Sequence, residues 1–408
     1  MPFNAWVENS FMTAPGSDLA RMAALFTPHW FEAPDLPVHL VAVVPGDAAM
    51  ALSGFPAAAL PVTGRVASGR GLTRADALRR ALGEAAELVS CCRNGDADTG
   101  RAAPVGGRLD RTEVLRFSQA QYAAHKSWNE RWGDEDLWPG APGRDAMWHE
   151  GVDLLSGRVV CAPSDLVWIG GDGVSALNPS GSEGCASGRD HDAAVAAALA
   201  ELFESDAIGR WWWGGIRAAA LPLSLLEEVP DLLRAFGARE RETTLMLLAA
   251  PQAPHCVAAV SSAPDGGAVA CGFAARTDLR AAALAAALEL ADSEFRIRMA
   301  QHHGPEHPLT PWIAGMSRAD PRFTPDGAAD VPRTTAGLSD CCAARGGTFA
   351  VFDMTRAQFG APALRIIAPG LVSQRPRFLN LPSADALLPA LTGTAGATGR
   401  QAALPLLV

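Results

Sequence analysis

Three stretches of the chain carry two acidic residues three positions apart in alanine-rich surroundings: Glu84 with Glu87, Glu201 with Glu204, and Glu289 with Asp292. On a helix such residues share a face, with Cβ atoms roughly 5 to 6 Å apart, and two like charges there cost a few tenths of a kcal/mol. Carboxylates held among Ala and Leu without arginine partners need cations. Hard oxygen donors suit Mg²⁺, which in turn commonly bridges nucleotide phosphates. One pair would mean little, whereas three pairs point to a carboxylate-lined metal and phosphate site assembled from three helices. The same spacing also fits ordinary surface acids on amphipathic helices, and the pattern alone leaves both readings open.

The elements that must position these acids form an internal repeat. The first unit runs Ser68-Gly69-Arg70-Gly71 into the helix of Glu84 and Glu87. The second runs from Ser182 and Glu183 through Cys185 and Gly188 to Arg189, then into the helix of Glu201 and Glu204. The third starts near Gly272, passes Arg276-Thr277-Asp278, and ends on the helix of Glu289 and Asp292. In each, a Gly-containing segment opens an amphipathic helix whose C-terminal half presents the acids. Residues 1–60 mix apolar runs such as Leu40 to Val44 with Pro and Gly, which predicts strands and turns. An exposed loop is expected between Asn94 and Gly107, a packed irregular linker around Trp128, Trp132, Trp138 and Trp148, and a loop-rich stretch from His302 to Thr335.

Composition narrows the chemistry. The 408 residues are 49% hydrophobic and 19% charged, which excludes a disordered chain and predicts a globular one with a sizeable core. The formal charge of -10 argues against nucleic-acid or anionic-membrane binding, which requires a basic surface field. Lys126 is the only lysine, so a G-x-x-x-x-G-K-[ST] phosphate loop is excluded and any phosphate site must be local and built with metal ions. The eight cysteines form no C-x-x-C pair, no apolar run reaches the roughly 18 residues of a membrane helix, and Met1 to Trp6 does not open a signal peptide. A cytoplasmic protein with reduced thiols is expected.

Other residue groups read as structure first. His302, His303 and His307 sit among Gly304, Pro305 and Pro308, which marks a surface loop more than a metal site. Cys185 has no identifiable partner base and reads as packing. Trp211, Trp212 and Trp213 suit either a core or the lining of a ligand groove.

At the acid-bearing repeats the sequence resembles the YcaO family, and within it the azoline-forming cyclodehydratases of thiazole/oxazole-modified microcin pathways. The likeness runs from about Gly64 to Phe378 and is carried by four places. They are Ser68 to Thr73 with Glu84 and Glu87; Ser182 to Gly188 with Glu201, Glu204, Asp206, Ala207, Trp211 and Trp212; Glu289 with Glu294; and Ala368-Pro369-Gly370-Leu371 followed by Pro376-Arg377-Phe378. The resemblance implies an α+β fold of the YcaO type, with mixed sheets, packed helices and three related acid-bearing helices converging on one nucleotide site. It implies ATP and Mg²⁺ as cofactors, with Glu84, Glu87, Glu201, Glu204 and Glu289 as metal ligands or their close supports. Ser68, Arg70, Ser182, Glu183, Arg189 and Asp292 are the implied nucleotide contacts. Residues 61–380 are expected to form the core domain, 1–60 a strand-rich segment of that domain, and 381–408 a tail.

The implied reaction is ATP-dependent cyclisation of a ribosomal precursor peptide. A Cys, Ser or Thr side chain attacks the preceding amide carbonyl, the oxyanion takes the γ-phosphoryl group, and phosphate leaves to give a thiazoline or oxazoline. Such chemistry asks the protein mainly for charge neutralisation and alignment. The implied partners are a leader-peptide-binding protein, a flavin-dependent dehydrogenase acting afterwards, and a second copy in a homodimer. Several positions depart from the family pattern. Its arginines are replaced by Leu88, Ser205 and Ala285, its glutamine by Asp292 and its asparagine by Glu183, and the chain ends Leu404 to Val408 without a proline-rich segment. Two alternatives stay open: a YcaO-type enzyme forming thioamides or amidines, and a non-catalytic scaffold that binds peptide or a catalytic paralogue.

Overall fold

The computed structural model describes residues 17–33, 35–51, 66–93, 100, 106–109, 114, 147–169, 181–212, 214–307, 309–374 and 406. Helix α1 (Ser17–Leu25) leads into strands β1 (Phe26–Glu32) and β2 (His39–Pro45), a short helix α2 (Asp47–Met50), strand β3 (Ala67–Gly71) and helix α3 (Arg74–Cys91). Strands β4 (Gly107–Arg108), β5 (Trp148–Asp153) and β6 (Val159–Pro163) precede the short α4 (Ser164–Val167), then β7 (Cys185–Ser187) and helix α5 (His191–Trp212). Next come β8 (Ala219–Leu221), α6 (Pro230–Ala238), β9 (Glu242–Leu248), β10 (His255–Ser262), β11 (Ala270–Arg276) and the long α7 (Leu279–His303). Helices α8 (Thr310–Gly315) and α9 (Leu338–Arg345) and strands β12 (Ala350–Asp353) and β13 (Ala363–Ile367) complete the described elements. The N-terminal region contains the expected strands together with α1. The expected tail, the linker tryptophans Trp128, Trp132 and Trp138, and Trp213 lie outside the described residues, as do Pro376, Arg377 and Phe378; of the tail only Leu406 is described.

The strands form an antiparallel sheet β1-β2-β3, an antiparallel sheet β11-β10-β9-β8, and a mixed sheet β4-β6-β5-β12-β13-β7 in which only β4 and β6 run parallel. Period-two alternation decides what each sheet face covers. In β10, Val257 and Ala259 join the core formed with α7, while Cys256, Ala258 and Val260 pack with Trp211 and Trp212 from the end of α5. In β13, Ala363 and Ile367 join the core around α3, while Leu364 and Ile366 face Leu199, Leu202 and Phe203 of α5. All three acid helices thus bridge sheets, α7 lying on β10 and β11 and reaching β3 of the first sheet. Helix α3 lies between the first sheet and the mixed one, and α5 reaches from the mixed sheet to β11.

Each acid helix starts directly after a strand at a side-chain cap, which satisfies one of the free N–H groups of the first turn. Thr73 accepts from the Asp76 N–H, Asp190 from the Ala193 N–H at 2.8 Å, and Asp278 from the Ala281 N–H at 2.9 Å. Counted from these caps, the acids recur eleven and fourteen residues on: Glu84 and Glu87, Glu201 and Glu204, Glu289 and Asp292. The repeat is therefore one of register as well as composition, and it sets all three pairs at one height above their caps, roughly 1.5 Å per residue along each helix.

Close helix-on-strand contact makes that register count. A Cβ on Gly69 would lie 2.0 Å from the Ala77 carbonyl oxygen and 2.5 Å from the Ala81 nitrogen of α3. One on Gly272 would lie 2.2 Å from the Leu290 nitrogen and 2.4 Å from the Ala286 oxygen of α7. These neighbours are backbone atoms and cannot rotate away, so Gly69→Ala and Gly272→Ala are each expected to destabilise by about 1–3 kcal/mol through overpacking. Gly237 in α6 meets nothing within 4 Å, so Gly237→Ala should be neutral or stabilising. Urea midpoints for the three variants check this; equal midpoints for all three would contradict it.

Candidate functional site

The three acid pairs share one basin. Glu84 and Glu87 come from α3, Glu201 and Glu204 from α5, and Glu289 and Asp292 from α7. Their electrostatic neighbours are one another: Glu87 acts on Glu201, Glu204 on Glu201, Glu289 on Glu204, and Asp292 on Glu84. All six are half-buried. Strand backbone donors hold three of them, from the strand before the helix for Glu84 and from the strand that opens the next unit for Glu87 and Glu204. The Ser68 N–H donates to Glu84 Oε2 at 3.2 Å, the Ala275 N–H to Glu204 Oε2 at 3.0 Å, and the Ser187 N–H to Glu87. The Ser187 hydroxyl also donates to the Gly83 carbonyl at 2.8 Å, which ties β7 to α3 beside Glu84.

Arg70 of β3 stands among these acids. Its Nη2 lies 3.2 Å from Glu289 Oε2, and Glu289, Asp292, Glu84 and Glu204 together outweigh the effect of burial and strengthen its charge. The acids respond in the opposite sense. Burial, aided by Asp292, pushes Glu84 up to about 7 against the pull of Arg70 and the Ser68 N–H. Burial and Glu289 push Glu204 up to about 8 despite Arg276 and the Ala275 N–H. Glu87 is raised by burial, Cys185 and Glu84, and Glu201 by burial, Glu87, Cys185, Glu204 and Glu183. Two further arginines border the basin. Arg276 ends β11 next to Ala275, and Arg80 sits on α3 one turn before Glu84, where burial, Arg276 and Arg70 bring it down to about 10.

The donor set fits a hard divalent cation, because every candidate ligand is a carboxylate oxygen and burial has left the acids short of counter-charge. Among the described residues, no three His, Cys, Asp or Glu side chains stand at metal-holding spacing as they lie. The carboxylates act on one another electrostatically without being closed on one point.

The other residues implied by the sequence fall in different places. Glu183 is turned toward α5 and the C-terminal segment: it accepts from the Ser205 hydroxyl and, at 2.8 Å, from the Ser373 hydroxyl. Its oxygens are committed to bracing, a role its expected contact with nucleotide did not foresee. Ser182 is half-buried in the turn before β7, its carbonyl accepting from the Cys185 N–H at 2.7 Å. Arg189 is exposed and ion-paired with Asp190 at 3.1 Å. Asp206 is buried and accepts from Arg210, Arg345 and the Val372 N–H, so it anchors the Ala368–Leu371 motif to α5. Trp211 and Trp212 are fully buried with Phe273, Trp312 and Phe323, which makes them core and not groove. Cys185 is fully buried beside Arg365, whose Nη1 lies 3.5 Å from its sulfur. His303 and His307 have ring centroids 6.0 Å apart at the end of α7, with the His303 ring bonded to the Met299 carbonyl. Among the described residues, no helix is long and apolar enough to cross a membrane.

Three strand–helix units, each carrying a pair of acids at one register, are packed together in an α+β fold. The sequence profile described as YcaO cyclodehydratase, ATP- and Mg²⁺-binding, matches residues 68–372. The chain belongs to the YcaO family. A heterocyclase solved in complex with substrate and cofactor aligns with a TM-score of 0.73 and 21% identity, covering 93% of this chain and 53% of its own. The YcaO protein of Methanopyrus kandleri, bound with AMPPCP and Mg²⁺, aligns with a TM-score of 0.59 and 20% identity over 85% of each chain. A chain of the E. coli microcin synthetase McbBCD complex aligns with a TM-score of 0.53 and 12% identity, over 85% of this chain and 88% of that one. The chain thus spans about half the length of the first of these heterocyclases. No curated protein matches it in sequence.

The raised acids make cation binding pH-dependent. Folded values above the ordinary 4.5 mean that the folded protein holds protons that the unfolded chain releases. Their contribution to stability is fully present below that value and is lost as pH rises through about 7 and about 8. Mg²⁺ displaces those protons, so its stabilisation should grow as pH rises. Thermal unfolding with and without saturating Mg²⁺ should show a larger rise in Tm at about pH 8 than at about pH 6. An equal or reversed difference would contradict the arrangement.

Proposed function

We propose that this protein is an ATP-dependent cyclodehydratase that converts Cys, Ser or Thr residues of a ribosomal precursor peptide into thiazolines or oxazolines. The observation that carries the reading is the convergence of acids from three helices, at one register from their caps, in a chain of the YcaO family. Glu84, Glu87, Glu201, Glu204 and Glu289 are the proposed metal ligands or supports, with Asp292 beside them. Ser68, Arg70 and Ser182 border the nucleotide. ATP with Mg²⁺, when bound, supplies the phosphoryl group that activates a backbone amide oxygen for loss as phosphate.

The chain's own residues supply position and charge. The backbone donors of Ser68, Ser187 and Ala275 fix both acids of α3 and one of α5, and the shared cap register keeps the three pairs level. Half-buried carboxylates interact with cations more strongly than exposed ones, because less water screens them. Arg70, ion-paired to Glu289, is placed to exchange that partner for a phosphate oxygen once a cation satisfies the acid. The solved relatives, one with substrate and cofactor and others in the McbBCD assembly with pro-MccB17, support a peptide substrate and partner proteins. A leader-binding partner, a later-acting flavin-dependent dehydrogenase and a homodimeric state in the cytoplasm complete the proposal.

The test uses the full chain with a leader-binding partner, a Cys-, Ser- and Thr-containing precursor peptide, ATP and Mg²⁺. Mass spectrometry should show loss of one water per ring, with one phosphate released from ATP for each. Glu201→Gln should slow both by at least about a hundredfold through lost charge stabilisation. Water loss that proceeds without ATP, or exchange of oxygen for sulfur in place of water loss, would contradict the assignment.

A further inference from the structure

Glu183, in the turn that leads into β7, joins three parts of the chain. Its carboxylate accepts from the Ser205 hydroxyl of α5 and, at 2.8 Å, from the Ser373 hydroxyl in the segment after β13. Its carbonyl accepts from Arg365 Nη2 of β13 at 3.2 Å, so main chain and side chain are both fixed. Ser205 in turn accepts from the Gln374 N–H at 3.0 Å, which directs its own proton to Glu183. Ser205 and Ser373 are each 3% exposed, so losing their partner would leave a buried polar group unsatisfied.

These bonds fall beside the acids of two helices. Ser205 follows Glu204 directly and lies four residues after Glu201, on the same face of α5. In the next turn Asp206 accepts from the Val372 N–H at 2.7 Å, and a Cβ on Gly209 would lie 2.4 Å from the Ser373 carbonyl oxygen, so the segment is laid directly on α5. Four residues beyond Glu183, the Ser187 N–H holds Glu87 of α3. Glu183 also acts on Glu201 through its charge. We propose that Glu183 is a positioning residue: through Ser205 and Ser373 it fixes the turn of α5 that carries Glu201 and Glu204, and ties that turn to the segment after β13, so that the acids keep the spacing a cation requires. This rests on the metal–nucleotide reading above. Glu183 and Ser205 are both departures from the family pattern, and the bond between them makes each change the partner of the other.

The test is calorimetric titration of the full chain with Mg²⁺ in the presence of a non-hydrolysable ATP analogue, for wild type, Glu183→Ala, Glu183→Gln and Ser373→Ala. Glutamine keeps an acceptor for Ser205 and a donor for Ser373 without the charge, whereas Ser373→Ala keeps the charge and loses a bond. Glu183→Ala and Ser373→Ala should each weaken Mg²⁺ by about fivefold or more, while Glu183→Gln stays within about twofold of wild type. In peptide cyclisation the same two alanine variants should lower kcat and leave the KM for the peptide unchanged. Melting temperatures check that the variants fold, and Ser373→Ala keeps the test open if Glu183→Ala does not. Alanine variants that bind Mg²⁺ as tightly as wild type, or a glutamine variant as weak as Glu183→Ala, would overturn the positioning role while leaving the metal–nucleotide reading intact. Wild-type protein that binds neither the metal nor the analogue would overturn both.

Discussion

Like charges brought together in a protein interior must be held there by something stronger than their repulsion. In this protein the holding is done by close backbone packing: α3 and α7 lie against strands through glycine positions where no side chain fits, and strand N–H groups reach across to the carboxylates. The acids cannot spread apart without opening those contacts. Burial and mutual repulsion instead appear as raised proton affinity in Glu84, Glu87, Glu201 and Glu204. A site of this kind is unfavourable alone and becomes favourable when cations arrive, which is the condition a metal–nucleotide site has to meet.

The rest of the architecture supports that arrangement. The three helices do not share one sheet: α3 and α5 lie on opposite faces of the mixed sheet, and α7 packs on the sheet of β11. Convergence therefore depends on α7, which also reaches β3, and on α5, which carries its acids at mid-length and then buries Trp211 and Trp212 against the second sheet. The segment after β13 is clamped to the same helix by Asp206 and by the Glu183–Ser205–Ser373 contacts. Changes near the chain's C-terminal segment can reach the acid basin through these bonds, because Glu183 also acts on Glu201.

Much of this was legible in the sequence because it is local. Acid spacing, alanine-rich helices and glycine-containing segments are patterns of a few residues, and they located all six acids and the α+β class. The cap register was equally present in Thr73, Asp190 and Asp278, and a search for capping residues would have found it. What was not legible depends on contacts distant in the chain. Glu183 reads as part of a nucleotide-binding turn, yet its oxygens go to Ser205 and Ser373. Arg189 reads as a phosphate contact but pairs with its neighbour Asp190 at the surface. Arg276 entered the sequence reading only as part of the third repeat unit, and Arg365 gave no local signal of its place beside Cys185. The tryptophans after the second acid pair were ambiguous because burial depends on which sheet the helix end meets.

The claim on which everything else rests is that three helices deliver their acids to one cation-binding space. The most direct measurement is a crystal structure of the protein with Mn²⁺ in place of Mg²⁺ and a non-hydrolysable ATP analogue, read by anomalous scattering from the metal. The account predicts anomalous peaks between the carboxylates of α3, α5 and α7. Metal bound elsewhere, or nucleotide bound with no metal among those acids, would contradict it.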